Sequence, residues 1–191
     1  MPQARFCGAL SLTDPATLLQ MELHEPIFDL SVLRLGSGAG ALLTFNLPSP
    51  GFTLGGNEYT CADDVVGVRV DVSRTVGSGW AFRIRFSVEV VGPCTRCLGP
   101  ASETVEVESR EATRPGGGEE LESPYLNGEE LDVESWMRDS LLLALPAAII
   151  CDANCPGLCP ECGERLADLG PDHRHERPPD PRWDALRRLS D

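Results

Sequence analysis

Lysine is absent from the 191 residues: all 16 basic side chains are arginine, set against 30 acidic ones. The resulting net charge of −14 repels a phosphate backbone over most of the surface. That argues against nonspecific nucleic-acid binding and leaves either a soluble, charge-stabilised protein or one that docks a basic partner. Long apolar runs are missing too. The longest, Leu141 to Cys151, contains Pro146 and falls well short of the roughly 20 residues of a membrane helix. Residues 1–25 show no sustained apolar run, and Glu22 and Glu25 close the stretch. No cleavable export signal is legible there, so the expected compartment is the cytoplasm, where thiols stay reduced. Histidines number three. The chain shows no nucleophile elbow, phosphate loop, H-E-x-x-H or nearby Ser/His/Asp set, so the motifs offer no catalytic residues and no small-molecule substrate is expected.

Cysteine, by contrast, is concentrated. Six of the eight fall into two groups: Cys94-Thr-Arg-Cys97, and Cys151-x3-Cys155-x3-Cys159-x2-Cys162. Two C-x2-C pairs far apart in sequence suit a tetrahedral thiolate zinc site, each supplying two sulfurs about 2.3 Å from the ion. Pro160 presets one φ within the second pair, and Gly163 lets the backbone turn under a metal. One structural zinc ion is expected. Cys94 and Cys97 with Cys159 and Cys162 is the favoured set, because those are the two C-x2-C pairs. Cys151 and Cys155 can replace either pair, or residues 151–162 can close a local four-sulfur site, so the choice of four stays open. Disulfides and a redox C-x-x-C disagree with the compartment and with the lack of a βαβ pattern. The Cys155-x3-Cys159-x2-Cys162 spacing also matches the iron–sulfur motif of radical SAM enzymes, but only 29 residues follow it, too few for that barrel. Cys7 and Cys61 read as small buried hydrophobes. His173 and His175, in a proline- and arginine-rich tail, read as solvated.

The hydrophobic fraction of 41% is enough for one core. Residues 28–35 read as a strand or short helix, followed by a flexible Gly36–Gly40, and 46–56 as loop. Val66, Val68, Val70 and Val72 alternate with polar residues. After Gly77-Ser-Gly79, so do Trp80, Phe82, Ile84, Phe86, Val88 and Val90. That is an antiparallel hairpin with one buried face, and 103–109 continues as a third strand. Residues 111–130 read as a flexible acidic connector. Between Glu103 and Glu134, eleven acidic residues face two arginines, a solvated loop or a docking surface for a basic protein. Asp132 caps a helix from Val133 to Leu145 that Pro146 stops. The expected fold is α+β: an antiparallel β-sheet or small open barrel with a packing helix, a cysteine-rich zinc knuckle and a flexible C-terminal tail. Residues 1–163 form the single domain, and 164–191 a Pro-rich linker and short amphipathic helix carrying Trp183, Leu186 and Leu189.

The order of these pieces resembles the YceD-like family, large ribosomal RNA subunit accumulation proteins, from about residue 27 to the end. The likeness lies in Gly92-Pro-Cys-Thr-Arg-Cys-Leu98 after a hairpin, the acidic spacer, and a helix ending Leu142-Leu-Ala-Leu-Pro146. It continues through Cys151-x3-Cys155-Pro-Gly-Leu-Cys-Pro-Glu-Cys-Gly163 to Asp180-Pro-Arg-Trp-Asp-Ala-Leu186. The resemblance implies a role in accumulation of 23S ribosomal RNA and assembly of the large ribosomal subunit. The partner it implies is a large-subunit ribosomal protein or a ribosomal RNA assembly intermediate; no membrane partner is expected, from the lack of a long apolar run. The residues alone also admit a zinc-dependent RNA-processing hydrolase, or a thiol-based redox or metal-responsive regulator with Cys151 and Cys155 as its reactive pair. Arg83, Arg85 and Arg96 are candidates for a phosphate-contacting patch or for solvating the hairpin's outer face.

Overall fold

A computed structural model describes residues 21–118 and 122–175. The expected tail helix and Cys7 lie outside these residues. The chain divides into two compact units: 21–51, 60–90 and 104–145 form one, and 52–59, 91–103 and 146–175 the other.

The first unit is mostly antiparallel sheet. The expected hairpin is its spine, with β6 (Val65–Arg74) paired to β7 (Trp80–Pro93) so that Val70 faces Ile84 and Val72 faces Phe82. Gly77 and Ser78 at φ 89° and 68° make the turn, the left-handed backbone that suits the right-handed twist of a tight hairpin. All the alternating residues named above are buried. On the other side of β6 lies β3 (Gly40–Pro48), antiparallel over its full length. β1 (Met21–Leu23) adds to β3 in parallel, and β8 (Pro100–Thr113) also pairs with β7. A small second sheet joins β2 (Ile27–Asp29), β10 (Glu130–Asp132) and β9 (Leu126–Asn127).

One expectation is sharpened and two need correcting. Residues 28–35 are both things in turn, since β2 runs into a 3-10 helix at Leu30–Leu33 capped by Asp29. The supposed loop from 46 begins inside β3, whose Ala41, Leu43, Phe45 and Leu47 are buried on alternate positions. Pro48 tolerates this place as the strand's last residue. The supposed connector contains the end of β8, all of β9 and the start of β10, whose Leu131 is 1% exposed.

The helix α1 (Val133–Ala144) forms as expected. Its Asp132 N-cap accepts from the Ser135 amide at 3.0 Å. Trp136, 1% exposed, lies edge-on to Phe82 at 6.3 Å, stacks on Tyr125 at 6.0 Å, and donates from Nε1 to Ser109 at 3.3 Å. The helix thereby seals one face of the sheet. Among the described residues no helix is long and apolar enough to cross a membrane.

Candidate metal centres

All six clustered cysteines fall in the second unit. There β4 (Phe52–Leu54) and β5 (Asn57–Cys61) form a hairpin that stacks Phe52 on Tyr59 at 5.9 Å. Tyr59 donates its hydroxyl to the Pro93 carbonyl at 2.8 Å. Gly92 is required beside it, because a Cβ there would overlap the Tyr59 ring. This contact holds the backbone just before Cys94.

The first C-x2-C pair is a tight knuckle. The Cys94 amide donates to the Gly99 carbonyl at 2.6 Å, and the Leu98 amide to the Cys94 carbonyl at 2.9 Å. Leu98 sits at φ 58°, and the Arg96 amide points at the Cys94 sulfur at 3.4 Å. Backbone bonding then selects the knuckle's partners. The Thr95 amide donates to Ile149 at 2.9 Å, and Arg96 donates to the carbonyls of Ala153 and Cys155 at 3.5 and 3.3 Å. The segment 149–155 is thus laid along the knuckle, with an Asp152 turn accepting from Asn154 at 2.7 Å. Cys97 and Cys151 sulfurs come to 3.6 Å, Cys94 and Cys155 to 3.9 Å, and all four lie within 4.8 Å of one another. Ala101, Ile150 and Leu158 pack around them.

The favoured set from spacing alone, Cys94 and Cys97 with Cys159 and Cys162, is therefore not the one the chain brings together. Pair matching ignores the two backbone segments that touch first. Cys159 and Cys162 belong instead to a second knuckle built like the first. The Cys159 amide donates to Glu164 at 2.7 Å, the Gly163 amide to Cys159 at 2.8 Å, and Gly163 stands at φ 75° where Leu98 stands in the first. Its sulfurs meet His173 and His175. His173 Nε2 is 3.4 Å from the Cys159 sulfur, 3.7 Å from that of Cys162 and 2.9 Å from His175 Nε2. The radical SAM spacing is likewise split, Cys155 going to the first group.

The sulfur–sulfur contacts of the first group and the sulfur–nitrogen contacts of the second have the dimensions of a tetrahedral ion site. With Zn–S near 2.3 Å, the sulfur–sulfur edge of a tetrahedron is about 3.8 Å, and with Zn–N near 2.05 Å the sulfur–nitrogen edge is about 3.5 Å. A disulfide needs about 2.05 Å, and all seven described cysteines are free. Electrostatics agrees. Burial pushes the Cys94 thiol up, but the amides of Cys151, Arg96 and Cys97 outweigh it and bring it to about 6. Hydrogen bonds from the Cys162 amide and His173 bring Cys159 to about 6 against its burial. Cys151 is raised, chiefly through hydrogen bonds to the sulfurs of Cys155 and Cys97, and Cys155 by burial. One thiolate forms readily and holds protons on its neighbours. A divalent cation resolves that conflict by stabilising every thiolate together.

Two residues escaped the sequence reading. His173 and His175 are not solvated tail residues, and the H-x-H pair eleven residues after Cys162 is the sequence signal for them. The arginine patch is spent internally: Arg83 pairs with Glu108, Arg85 with Asp71 at 2.8 Å, and Arg96 with the carbonyls above. Cys61 is half-buried rather than fully buried.

Comparison with known proteins places the chain in a family. No solved structure matches the chain. Uncharacterised proteins of Mycobacterium bovis and Mycobacterium tuberculosis are each 33% identical to it over 164 residues, covering 81% of this chain and 77% of theirs. One from Mycobacterium leprae is 28% identical over 87% of this chain and 79% of its own. Residues 82–190, which hold both knuckles, match the family described as large ribosomal RNA subunit accumulation protein YceD. The chain belongs to the YceD family.

Proposed function

We propose that this protein is a non-enzymatic factor supporting 23S ribosomal RNA accumulation and assembly of the large ribosomal subunit in the cytoplasm. Cys94, Cys97, Cys151 and Cys155 hold a structural zinc ion that gives it a rigid docking surface. The observation carrying this reading is the four-thiolate group. Four protein ligands saturate a tetrahedral ion and leave no position for substrate or water, as structural rather than catalytic zinc sites do. Three of the four sulfurs belong to buried residues, Cys94, Cys97 and Cys155. Soft thiolates in a tetrahedron select zinc over magnesium or calcium. The family name supplies the process. The net charge of −14 makes a cationic ribosomal protein, free or within an assembly intermediate, the favoured partner over bare RNA.

The test is a sedimentation profile of ribosomal particles from cells depleted of the protein, with 23S and 16S RNA quantified. Selective loss of 23S RNA and large subunits, restored by the wild-type chain, is expected. An unchanged profile refutes the reading.

A further inference from the structure

We propose that the protein carries a second, chemically distinct metal site in which Cys159, Cys162, His173 and His175 bind one zinc-like divalent cation. Each chain thus holds two ions rather than one.

Three independent observations carry this. The first is the repeated knuckle. Residues 94–99 and 159–164 share the same two backbone hydrogen bonds, from the first cysteine's amide to the carbonyl five residues on and back from the fifth residue to the first cysteine. They also share a left-handed residue immediately after the second cysteine. A backbone that presents two sulfurs to one point in the first group presents them likewise in the second.

The second is the convergence of donor atoms. One ring nitrogen of each histidine and the two sulfurs lie within 4.8 Å of one another, the two Nε2 atoms are 2.9 Å apart, and the imidazoles meet at 86° with centroids 4.5 Å apart. Hydrogen bonding alone explains this poorly. Each neutral imidazole has one donor nitrogen, so two Nε2 atoms facing each other and the same sulfurs cannot all be satisfied. A cation accepts all four lone pairs at once.

The third is the lack of apolar burial. Not one residue from 160 to 175 is buried, and no helix or strand runs through this stretch. Beyond the knuckle, its backbone bonds are one antiparallel bridge between Leu158 and Arg165, with Leu166 donating to Gly157 at 2.9 Å, and two turns, Asp168 to Arg165 at 3.0 Å and His173 to Gly170 at 3.0 Å. Segments without a hydrophobic core are ordered by metals or disulfides, and Cys159 and Cys162 are free thiols.

The two sites differ in charge. A divalent ion with four thiolates carries −2, whereas with two thiolates and two neutral imidazoles it is neutral. The second site therefore asks for no compensating arginine, and the loop it closes carries Arg165, ion-paired to Asp168 at 3.5 Å, back against Gly99 of the first knuckle.

The experiment is metal counting on the full-length chain purified with zinc, by native mass spectrometry and elemental analysis, beside the variant H173A/H175A. Two ions in the wild type and one in the variant are expected. Cobalt substitution supplies a second reading that requires no variant: the wild type should show a mixed nitrogen–sulfur absorption component beside a four-sulfur one, and the variant only the latter. A wild type holding fewer than two ions, a variant that keeps two, or a cobalt spectrum of four-sulfur type alone overturns the proposal. None of these readings depends on the ribosomal phenotype, so the two conclusions fail separately.

Discussion

The two units of this protein are held by different forces. In the first, alternating valines and aromatics on β3, β6 and β7 bury one face of a sheet, and Trp136 closes it. That unit would form from apolar burial alone, at about 25 cal/mol per Å². In the second, the buried residues are largely the cysteines themselves, with Tyr59 and Ile149. The rest is turns. A region so poor in apolar burial is commonly held by cross-links, and the proposed cations supply them between thiols that are free among the described residues. The proposed ions imply a unit whose order survives metal loss beside a unit whose order depends on it.

Chelation should break that comparison most visibly. Stripping metal is expected to abolish hydrogen-exchange protection at the amides of Thr95, Leu98 and Cys159 while those of Val68, Val70 and Ile84 stay protected. Structural zinc contributes on the order of 10 kcal/mol. Equal loss in both units would mean that the sheet also leans on the metal.

Acid is the graded form of the same test. Cys151 and Cys155 are pushed above the ordinary thiol value, so at neutral pH both give up a proton when metal binds. Binding therefore weakens as pH falls, by at least about a hundredfold per unit, the contribution of these two displaced protons alone. The slope steepens below pH 6, where Cys94 and Cys159 take up protons as well. A competition titration with a chromophoric chelator measures the slope, and a value below one proton would contradict a four-thiolate site.

The converse perturbation is Trp136→Ala. It should lower the stability of the sheet unit by about 3–5 kcal/mol, read by denaturant unfolding, with metal content unchanged. Loss of metal in that variant would show that the units are not separable.

The smallest effect concerns the paired knuckles. Leu98 adopts the left-handed backbone that Gly163 adopts in its counterpart, at a cost of about 1 kcal/mol for a residue with a Cβ. Leu98→Gly should therefore raise, and Gly163→Ala lower, the thermal midpoint of the metal-loaded protein by a few degrees. Opposite signs would show that the side chain of Leu98 contributes more than its backbone strain costs.

Much of the first unit was legible because its signals are local. The β6–β7 hairpin follows from period-two alternation and a glycine turn, and α1 from a capping aspartate and a terminating proline. The strand β3 is harder to see although Ala41, Leu43, Phe45 and Leu47 alternate, because Pro48 and the glycines after it carry a loop signal across its end. β9 and β10 lie in an acidic stretch whose composition resembles a loop. They are strands because β2, a hundred residues earlier, pairs with β10.

By itself, then, the sequence determined that this is an acidic α+β protein with six clustered thiols, since charge, alternation and ligand type are properties of composition and short spacing. Only the tertiary structure decided which thiols meet. The choice rests on the Thr95–Ile149 and Arg96–Cys155 contacts, which join segments more than fifty residues apart, and on a turn at Gly170 that brings His173 to Cys159. Donor atoms converge through backbone bonding between distant segments, and spacing along a chain carries no record of which segments will touch.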